Sequence, residues 1–413
     1  MERELCRDLK DKKTVLIVHN YYQIPGGEDT VVINEKELLE KHGHTVHLYT
    51  RNNSELKKLP VWRLVLLPFS TVFNPRTYWE VRKCIMDNKI DLVHVHNTLN
   101  LISPSVYYAA RSRHIPVIQT IHNFRLLCPG ATLFRNGSIC EECLNHGLSC
   151  AIRNKCYRNS RLQTIACALS LKLHRFFGIY KKISYICLTE FNRKKLLRLG
   201  QISPSQIYIK PNFTQTQASG AIRCDRENVF LYAGRLETIK GIDTLLYTWD
   251  KLGSDAPKLL ICGTGNLENW CRTYVLDHNL TNVEFLGYQK ADELRVIMGR
   301  VKALILPTKW YEGFPMTIVE AYSVGTPVIG PDFGNVGDLI MEGVTGWKYD
   351  ATSNSGLYEL MCRWRMLEID YGQIAEYYQE QYDSERNYQL LMEIYRKVAD
   401  WNAKTGHNKN IGC

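Results

Sequence analysis

The sequence contains no apolar run that approaches the roughly 20 residues needed to cross a bilayer. Residues 1–13 are charged and lack the apolar centre of a secretory signal, so we expect the protein to stay in the cytoplasm. No short repeat, low-complexity tract or Asp-x-Asp metal motif occurs. With 413 residues, of which 45% are hydrophobic and 23% charged, the chain has the composition of a soluble globular protein and the length of two α/β domains plus a tail.

Acidic residues are scarce in one stretch of a chain whose net charge is +10. Residues 151–200 contain 12 Lys or Arg and a single acid, Glu190, whereas residues 350–400 contain 10 acids against 5 Lys or Arg. The basic stretch is either a solvated face or a contact surface for nucleic acid, anionic lipid or a phosphorylated substrate. Within it, residues 158–182 follow the pattern of a basic amphipathic helix, which lies either on an anionic membrane or against its own domain.

Strand and helix patterns alternate in two successive series. The first series of strands is predicted at residues 14–19, 45–49, 91–96, 116–121, 184–188 and 206–209, and the second at 229–233, 258–262, 283–286, 302–306 and 327–330. Helices are predicted at residues 29–42, 241–252 and, in an amphipathic tail, 358–401, and residues 211–224 form a polar linker. This order predicts an α/β protein of two doubly wound, Rossmann-like domains that face each other across a cleft.

The predicted division is residues 1–212, residues 213–375 and a C-terminal helix, 376–413, that returns to the first domain. Because open α/β sheets bind ligands at the carboxyl edges of their strands, we expect the active site in the cleft.

One motif of the second domain places two carboxylates around a helix start. Glu312 and Glu320 are separated by seven residues in the segment Glu-Gly-Phe-Pro-Met-Thr-Ile-Val-Glu. Pro315 is typical of a first helical turn, so Glu312 precedes the helix and Glu320 lies in it. The amides of Gly313 and Phe314 then favour an anion. The alternative is an ordinary helix with an N-terminal acid and a solvated Glu.

A second motif, Gly-Arg-Leu-Glu-Thr-Ile-Lys-Gly, supplies cations to the same domain. Arg235 follows a buried strand and Lys240 lies near the start of the next helix, so both suit a diphosphate. Two features of the first half complete the set, the glycine-rich loop at Gly26–Gly27–Glu28 and the His122 that closes a strand. Together the four motifs resemble the retaining family-four glycosyltransferases of the GT-B fold, over residues 14 to about 401.

The resemblance implies a reaction and the residues that carry it. A sugar would pass, with retention, from a nucleoside diphosphate to an acceptor hydroxyl, without an essential catalytic metal. Arg235 and Lys240 would bind the diphosphate, Glu312 a sugar hydroxyl and Glu320 the ribose, and His122 would lie beside the sugar. The other implied donor-binding positions are Gly27 at the phosphates, Leu286 and Gly287 at the base, and Gly313, Phe314 and Pro315 in the motif loop.

Five of the 14 cysteines lie within 29 residues, in a predicted insertion at residues 124–160. Cys140 and Cys143 form a close pair, and Cys128 and Cys156 flank it, as in a structural four-thiolate zinc site with Cys150 spare. The alternatives are reduced thiols in a compact loop and an iron–sulfur cluster. Similar Cys-rich insertions occur in the bacterial polysaccharide-cluster relatives of the family.

The expected function is therefore extension of a polyprenyl-diphosphate-linked glycan for capsule, exopolysaccharide or lipopolysaccharide, at the inner face of the cell membrane. Two other functions stay open. One is another GT-B enzyme such as a sugar-nucleotide epimerase, although those lack this Arg…Lys and Glu…Glu pairing. The other is a zinc-containing nucleic-acid-binding protein, which leaves the carboxylate pair unexplained, so we expect no nucleic-acid partner.

Overall fold

A computed structural model describes residues 12–23, 26–58, 60–214 and 222–407. The chain divides into two compact units. Unit 1 comprises residues 1–131, 141–211 and 387–413, and unit 2 comprises residues 132–140 and 212–386. The main division thus falls next to the predicted boundary at residue 212, and the C-terminal segment begins at Asn387 rather than at residue 376. Residues 215–221 of the predicted linker, and most of the charged start, lie outside the described residues.

The described residues form fourteen strands and sixteen α-helices. The strands are β1 (Thr14–Tyr21), β2 (Thr45–Asn52), β3 (Leu92–Asn97), β4 (Val117–Ile121), β5 (Phe134–Arg135), β6 (Ser138–Ile139), β7 (Ser184–Cys187), β8 (Ile207–Ile209), β9 (Glu227–Ala233), β10 (Lys258–Cys262), β11 (Val283–Gly287), β12 (Val301–Ile305), β13 (Val328–Pro331) and β14 (Gly346–Tyr349). The helices are α1 (Gly27–Lys41), α2 (Val61–Val72), α3 (Pro75–Asp87), α4 (Ser105–Arg111), α5 (Glu142–His146), α6 (Ser149–Arg153), α7 (Arg161–Phe176), α8 (Glu190–Leu197), α9 (Ile242–Leu252), α10 (Glu268–Asp277), α11 (Ala291–Met298), α12 (Met316–Ser323), α13 (Gly334–Leu339), α14 (Gly356–Met361), α15 (Tyr371–Tyr382) and α16 (Ser384–His407).

The sheet of unit 1 is parallel, in the order β2-β1-β3-β4-β7-β8. Because side chains alternate across a strand, Leu16 of β1 belongs to the core on one face and Ile17 to the core on the other. Leu391 and Tyr395 of α16 are fully buried in the same core as Ile17. The C-terminal helix is therefore a structural part of unit 1.

The sheet of unit 2 is also parallel, in the order β11-β10-β9-β12-β13-β14. Phe230 of β9 packs on one face with Trp249 of α9, and Leu231 packs on the other with Ile318 of α12. Both sheets carry helices on both faces, which confirms the predicted pair of doubly wound domains. The antiparallel β5–β6 hairpin, which lies within the predicted insertion, belongs to unit 2.

Two helical segments are shorter than the sequence predicts. The basic segment 158–182 contains α7, whose first turn is capped by Ser160, and a separate 3-10 turn over Ile179–Lys182. Gly178 breaks the helix because its φ of 66° lies in the left-handed region. The predicted tail helix 358–401 is likewise interrupted, and α14, α15 and α16 share it. The elements for which the sequence analysis gave no bounds include α2, which contains Pro68, and the edge strand β14.

Candidate active site

The charged motifs of unit 2 meet at one edge of its sheet. From β9 the sheet order runs outward to β10 and β11, and from the adjacent β12 it runs the other way to β13 and β14. This reversal creates a crevice at the carboxyl ends of β9 and β12, where doubly wound sheets bind ligands. Gly234 and Arg235 follow β9, and the loop that leads to Glu312 follows β12.

Lys240 and Glu312 form an ion pair that joins these two loops. The Nζ atom of Lys240 lies 2.8 Å from Oε1 and 3.0 Å from Oε2 of Glu312, whose Oε1 also accepts a hydrogen bond of 3.0 Å from Thr308. Glu312 is buried, and Lys240 is also 5.4 Å from the centre of the Trp310 ring. The side-chain amide of Asn335 donates to the backbone carbonyls of Glu312 and Gly313, which fixes the loop. Sequence reasoning selected both charged residues but not their pairing.

Glycines allow the loops of this crevice to pack so closely. A Cβ atom on Gly241, which has a φ of 74°, would lie 1.8 Å from the carbonyl oxygen of Pro307. A Cβ atom on Gly263 would lie 1.9 Å from the carbonyl oxygen of Gly234. Gly263 and Gly265 follow β10 and were missed by sequence reasoning, although the Gly-Thr-Gly sequence after a buried strand was a usable signal.

Arg235 differs from Lys240 in its exposure. Its side chain is 61% exposed, and its guanidinium lies 2.8 Å from Oε1 of Glu237. Its backbone is held in place because Tyr232 donates a 2.7 Å hydrogen bond to its carbonyl oxygen. The backbone of Arg235 is therefore fixed, whereas its side chain is open to solvent.

The remaining predicted residues of unit 2 surround the same loops. Glu320 lies in α12, where burial raises its pKa and the charge of Arg295 opposes that effect. Pro315 directly precedes α12 as its N-cap rather than lying within the first turn, and Phe314 packs on the core beside the helix. Leu286 and Gly287 end the edge strand β11, and the carbonyl of Gly287 accepts a 2.8 Å hydrogen bond from the amide of Gly263.

Unit 1 has its own reversal of strand order, between β1 and β3, and buried histidines occupy it. Nδ1 of His96 lies 2.9 Å from Nε2 of His122, and Nε2 of His96 lies 3.3 Å from Oε2 of Glu35. The other carboxylate oxygen of Glu35 lies 2.7 Å from Nζ of Lys210. His94 contacts Glu35 at 3.5 Å. Sequence reasoning missed Glu35 and Lys210, because a single charge in a helix or after a strand is usually solvated.

This network sets the protonation of His122. Burial alone would raise the pKa of Glu35, but Lys210, His94 and His96 together hold it well below its usual value. Burial and the neighbouring His96 lower the pKa of His122. The negative charge of Glu35, 3.3 Å from Nε2 of His96, favours the tautomer of His96 that carries its proton on Nε2 and accepts on Nδ1 from His122. We infer that His122 is neutral, with its proton on Nε2 and an accepting Nδ1.

The glycine-rich motif forms a helix start rather than a loop. Gly26 is the N-cap of α1 and Gly27 is its first residue. Glu28 accepts hydrogen bonds from Tyr22 at 3.1 Å and from Asn123, the neighbour of His122, at 3.4 Å. Burial raises the pKa of Glu28 from 4.5 to about 8, so this carboxyl group is mostly protonated at neutral pH.

Three of the four predicted zinc ligands are neighbours in unit 1. Cys143 and Cys128 share a hydrogen bond, which together with burial raises the pKa of Cys143. A Cβ atom on Gly130 would lie 3.4 Å from Cβ of Cys156 and 3.6 Å from Sγ of Cys128. Cys140 belongs to unit 2, at the end of the β5–β6 hairpin. The thiolate zinc site stays a prediction, and the zinc content of the purified protein would test it.

A different set of side chains has the spacing of metal ligands. Within the described ranges, Glu35, His94 and His96 are the only three whose ligand atoms all lie within 4.8 Å of one another. Both nitrogens of His94 have hydrogen-bonding partners at 2.8 Å, namely Tyr395 and Thr120. Because Lys210 already neutralises Glu35, the donor set does not fit a cation.

Comparisons with known proteins agree with this geometry. Residues 25–218 match the family described as Glycosyltransferase Family 4, and residues 216–380 match the family described as Glycosyl transferases group 1. The chain belongs to the family-four glycosyltransferases. This membership favours sugar transfer over the epimerase and nucleic-acid-binding alternatives.

Individual relatives of this glycosyltransferase are distant. An uncharacterized 42.6 kDa protein in the cps region of Klebsiella pneumoniae is 25% identical over 346 residues, which are 77% of this chain and 84% of that protein. The apo form of the lipopolysaccharide outer core galactosyltransferase WaaB has a similar structure, with a TM-score of 0.63 and 18% sequence identity. The superposition covers 93% of this chain and 98% of the WaaB chain. Alr3699/HepE of Anabaena, solved in complex with UDP-glucose, is also similar, with a TM-score of 0.59 and 15% sequence identity. The superposition covers 95% of this chain and 100% of the Alr3699/HepE chain. These structures show the shared GT-B fold.

Proposed function

We propose that this glycosyltransferase transfers a sugar, with retention, from a nucleoside diphosphate to a hydroxyl of a lipid-linked glycan in cell-surface polysaccharide biosynthesis. The observation that carries the proposal is the Lys240–Glu312 pair at the strand-order reversal of unit 2. It places a cation for phosphate and a carboxylate for a sugar hydroxyl side by side. The cps-region relative and the resemblance to a lipopolysaccharide galactosyltransferase support the pathway.

In the proposed reaction, the bond between the anomeric carbon and the diphosphate oxygen breaks, and its electron pair leaves with the diphosphate. The acceptor oxygen forms the new bond on the same face, and its proton passes to the departing diphosphate. Charge therefore grows on the leaving group, where Arg235 and Lys240 stabilise it. Lys240 exchanges part of its contact with Glu312 for the phosphate, which frees Glu312 to accept from a sugar hydroxyl.

The other residues hold the donor and its sugar. Glu320 binds the ribose hydroxyls, and neutral His122 presents its accepting Nδ1 to a hydroxyl of the transferred sugar. No catalytic step in this scheme passes through a metal. The remaining donor contacts are Gly27 near the phosphates, Leu286 and Gly287 beside the base, and the loop of Gly313, Phe314 and Pro315.

A thermal-shift screen of nucleotide sugars tests the donor part of the proposal. A ligand present at about 100 times its dissociation constant adds about 2.7 kcal/mol of apparent stability. We expect at least one nucleoside diphosphate sugar to raise the melting temperature of the wild type and to do so less in Lys240→Ala. If no nucleotide sugar changes the melting temperature, the donor assignment is wrong.

Exposed apolar side chains support the lipid-linked acceptor and an anionic membrane as the site of action. Helices α2 and α7 of unit 1 pack against each other, and both leave apolar residues exposed at helical spacing. Phe69 and Phe176 are 72% and 82% exposed. The members of this surface, called the α2–α7 face below, are Leu66, Phe69, Phe73, Leu162, Ile165, Leu169, Phe176 and Phe177. The exposed cations Arg161, Lys172, Lys181 and Lys182 lie along or next to α7 and complement anionic headgroups.

Sedimentation with lipid vesicles tests this part. In the described part of the chain, no helix is both long and apolar enough to span a membrane. We expect binding to phosphatidylglycerol vesicles, weak binding to phosphatidylcholine, and a loss of about tenfold in Phe176→Ser, since burying a Phe contributes about 1.5–3 kcal/mol. Leu276→Ser, which removes an equally exposed apolar residue of unit 2, is the matched control. Equal losses in both variants would contradict the proposal.

A further inference from the structure

Two cavities of unit 1 share a wall between the α2–α7 face and His122. The inner cavity, of about 60 Å³, is lined by His96 and His122. The outer cavity, of about 250 Å³, is lined by Leu67 and Pro68 of α2 and by Gln163 and Ala166 of α7. Thr71 and Cys167 line both. Thr71 and Cys167 thus stand between a cavity at helices α2 and α7 and a smaller one at His122.

Two arginines lie where the cavities adjoin. Arg125 lines the inner cavity and Arg158 lines the outer one. Both guanidinium groups lie over the ring of Tyr157, at 5.4 and 5.6 Å from its centre. The hydroxyl of Tyr157 donates a 2.9 Å hydrogen bond to Asn100, which holds the ring in place. Although burial raises the pKa of Cys167, the charges of both arginines act to lower it, which places both near the shared wall.

Among the described residues, neither arginine has a carboxylate that neutralises it. In the part of the chain that the structure describes, no carboxylate forms an ion pair with Arg125 or Arg158. The Nε atom of Arg125 is buried without a hydrogen-bond partner, and its Nη1 reaches only the carbonyl of Pro129, at 3.3 Å. Glu28 is the carboxyl group on which the charge of Arg125 acts, and it is mostly protonated at neutral pH because burial raises its pKa to about 8. A buried guanidinium donor without a partner costs free energy that an anionic ligand would recover.

We propose that Arg125 and Arg158 bind the diphosphate that links the acceptor glycan to its lipid. Guanidinium groups match phosphate oxygens through paired, charge-assisted hydrogen bonds. The hydrocarbon runs past Leu67 and Pro68 to the α2–α7 face, and the glycan lies on the side of His122. This inference rests on the proposed transfer to a lipid-linked acceptor and names the residues that recognise its anionic part.

Calorimetric titration with farnesyl diphosphate, farnesol and inorganic pyrophosphate tests the site. The measurements use the Arg235→Ala, Lys240→Ala double variant, so that the proposed donor site does not compete for diphosphate. We expect farnesyl diphosphate to bind more tightly than the other two probes. Arg125→Gln and Arg158→Gln should each weaken it about tenfold or more, because each removes a charge-assisted contact. Arg153→Gln, which replaces an exposed cation of α6 that lines neither cavity, should leave binding unchanged.

Other results of these titrations would each contradict a specific part of the proposal. Unchanged affinity in Arg125→Gln and Arg158→Gln would reject the site, and Arg158 is exposed, so its replacement does not endanger the fold. Arg-dependent binding of pyrophosphate as tight as that of farnesyl diphosphate would reject the lipid and leave a phosphorylated soluble acceptor. Binding of nucleotide sugar to the single variants Arg125→Gln and Arg158→Gln, which retain the donor site, separates this inference from the proposed function. If they bind donor normally, only the acceptor site is in question, and if the wild type binds none, the proposed function itself fails.

Discussion

Each unit has a reversal of strand order in its sheet, and different polar side chains lie there, buried histidines in unit 1 and cations in unit 2. At the strand-order reversal of unit 1, His96, His122 and Glu35 are buried, with His122 hydrogen-bonded to His96 and Glu35 ion-paired with Lys210. At the reversal of unit 2, Arg235 is open to solvent and Lys240 shares a single carboxylate. Neutral imidazoles suit uncharged hydroxyl groups, whereas cations suit phosphate, so the two sheet edges differ in the kind of ligand that their chemistry favours. The following experiments test that contrast.

The largest expected effect comes from the buried charges of unit 1. Glu35→Gln leaves Lys210 charged and buried without a counter-ion, which typically costs about 3–5 kcal/mol of unfolding free energy. We expect a large drop in melting temperature, measured by calorimetry. Glu40→Gln is the control, because Glu40 lies on the same helix and forms an exposed pair with Lys36 that contributes about 0.5 kcal/mol or less. Similar melting temperatures for the two variants would contradict a structural role of the Glu35 network.

The cations of unit 2 should instead affect catalysis. Arg235→Ala or Lys240→Ala should reduce transfer about tenfold or more at subsaturating donor, since each charge-assisted contact contributes about 1.5–3 kcal/mol. The melting temperature should change little for Arg235→Ala, whose side chain is exposed. Arg363→Ala, another exposed arginine of unit 2, should transfer at the wild-type rate. Near-normal turnover of the Arg235 or Lys240 variant would reject the diphosphate role.

The two carboxylates of the motif should differ in what they bind. Glu320→Gln should weaken binding of the bare nucleoside diphosphate about tenfold, because the ribose contact does not need the sugar. Glu312→Gln should not weaken it, since the substitution releases Lys240 for the phosphate, but should impair transfer. Calorimetry of both variants measures the difference. Equal nucleotide affinity for the wild type and both variants would contradict the assigned roles.

A further expected effect, which is confined to one interval of pH, is a change in the pH dependence of stability. Folding raises the pKa of Glu28 from 4.5 to about 8, so the folded state holds a proton that the unfolded state has lost. Stability therefore falls as the pH rises through that interval, and levels off above it. Glu28→Gln removes this penalty, so its melting temperature should exceed that of the wild type at about pH 8 and approach it at about pH 5. A difference that does not vary with pH would show that Glu28 keeps its ordinary pKa.

Local patterns in the sequence predicted much of this structure. Short apolar runs such as the one containing Leu16 and Ile17 located the strands, and Pro315 marked the start of α12. Helix α2 was not predicted because it contains Pro68, and proline is disfavoured in the interior of a helix. The fold class and the two charged motifs of unit 2 were thus readable from neighbouring residues.

Contacts between distant residues were not readable in this way. Lys240 and Glu312 are 72 positions apart, and Glu35 meets Lys210 across most of unit 1. Only the topology brings these side chains together, and it also buries Glu35, which shares its helix with exposed Glu residues. Arg125 and Arg158 carry no sequence motif, and their shared ring at Tyr157 became visible only in three dimensions.

The packing of α16 has a consequence for the order in which the protein is made. Residues 12–211 are synthesised before α16, so only Val32 and Leu39 of α1 cover the hydrophobic face that contains Ile17 until Leu391 and Tyr395 emerge. Unit 2, whose residues end at Arg386, has all of its core partners earlier. The domain that is begun first is therefore completed last, and its nascent form exposes part of an apolar sheet face while the other domain is being synthesised.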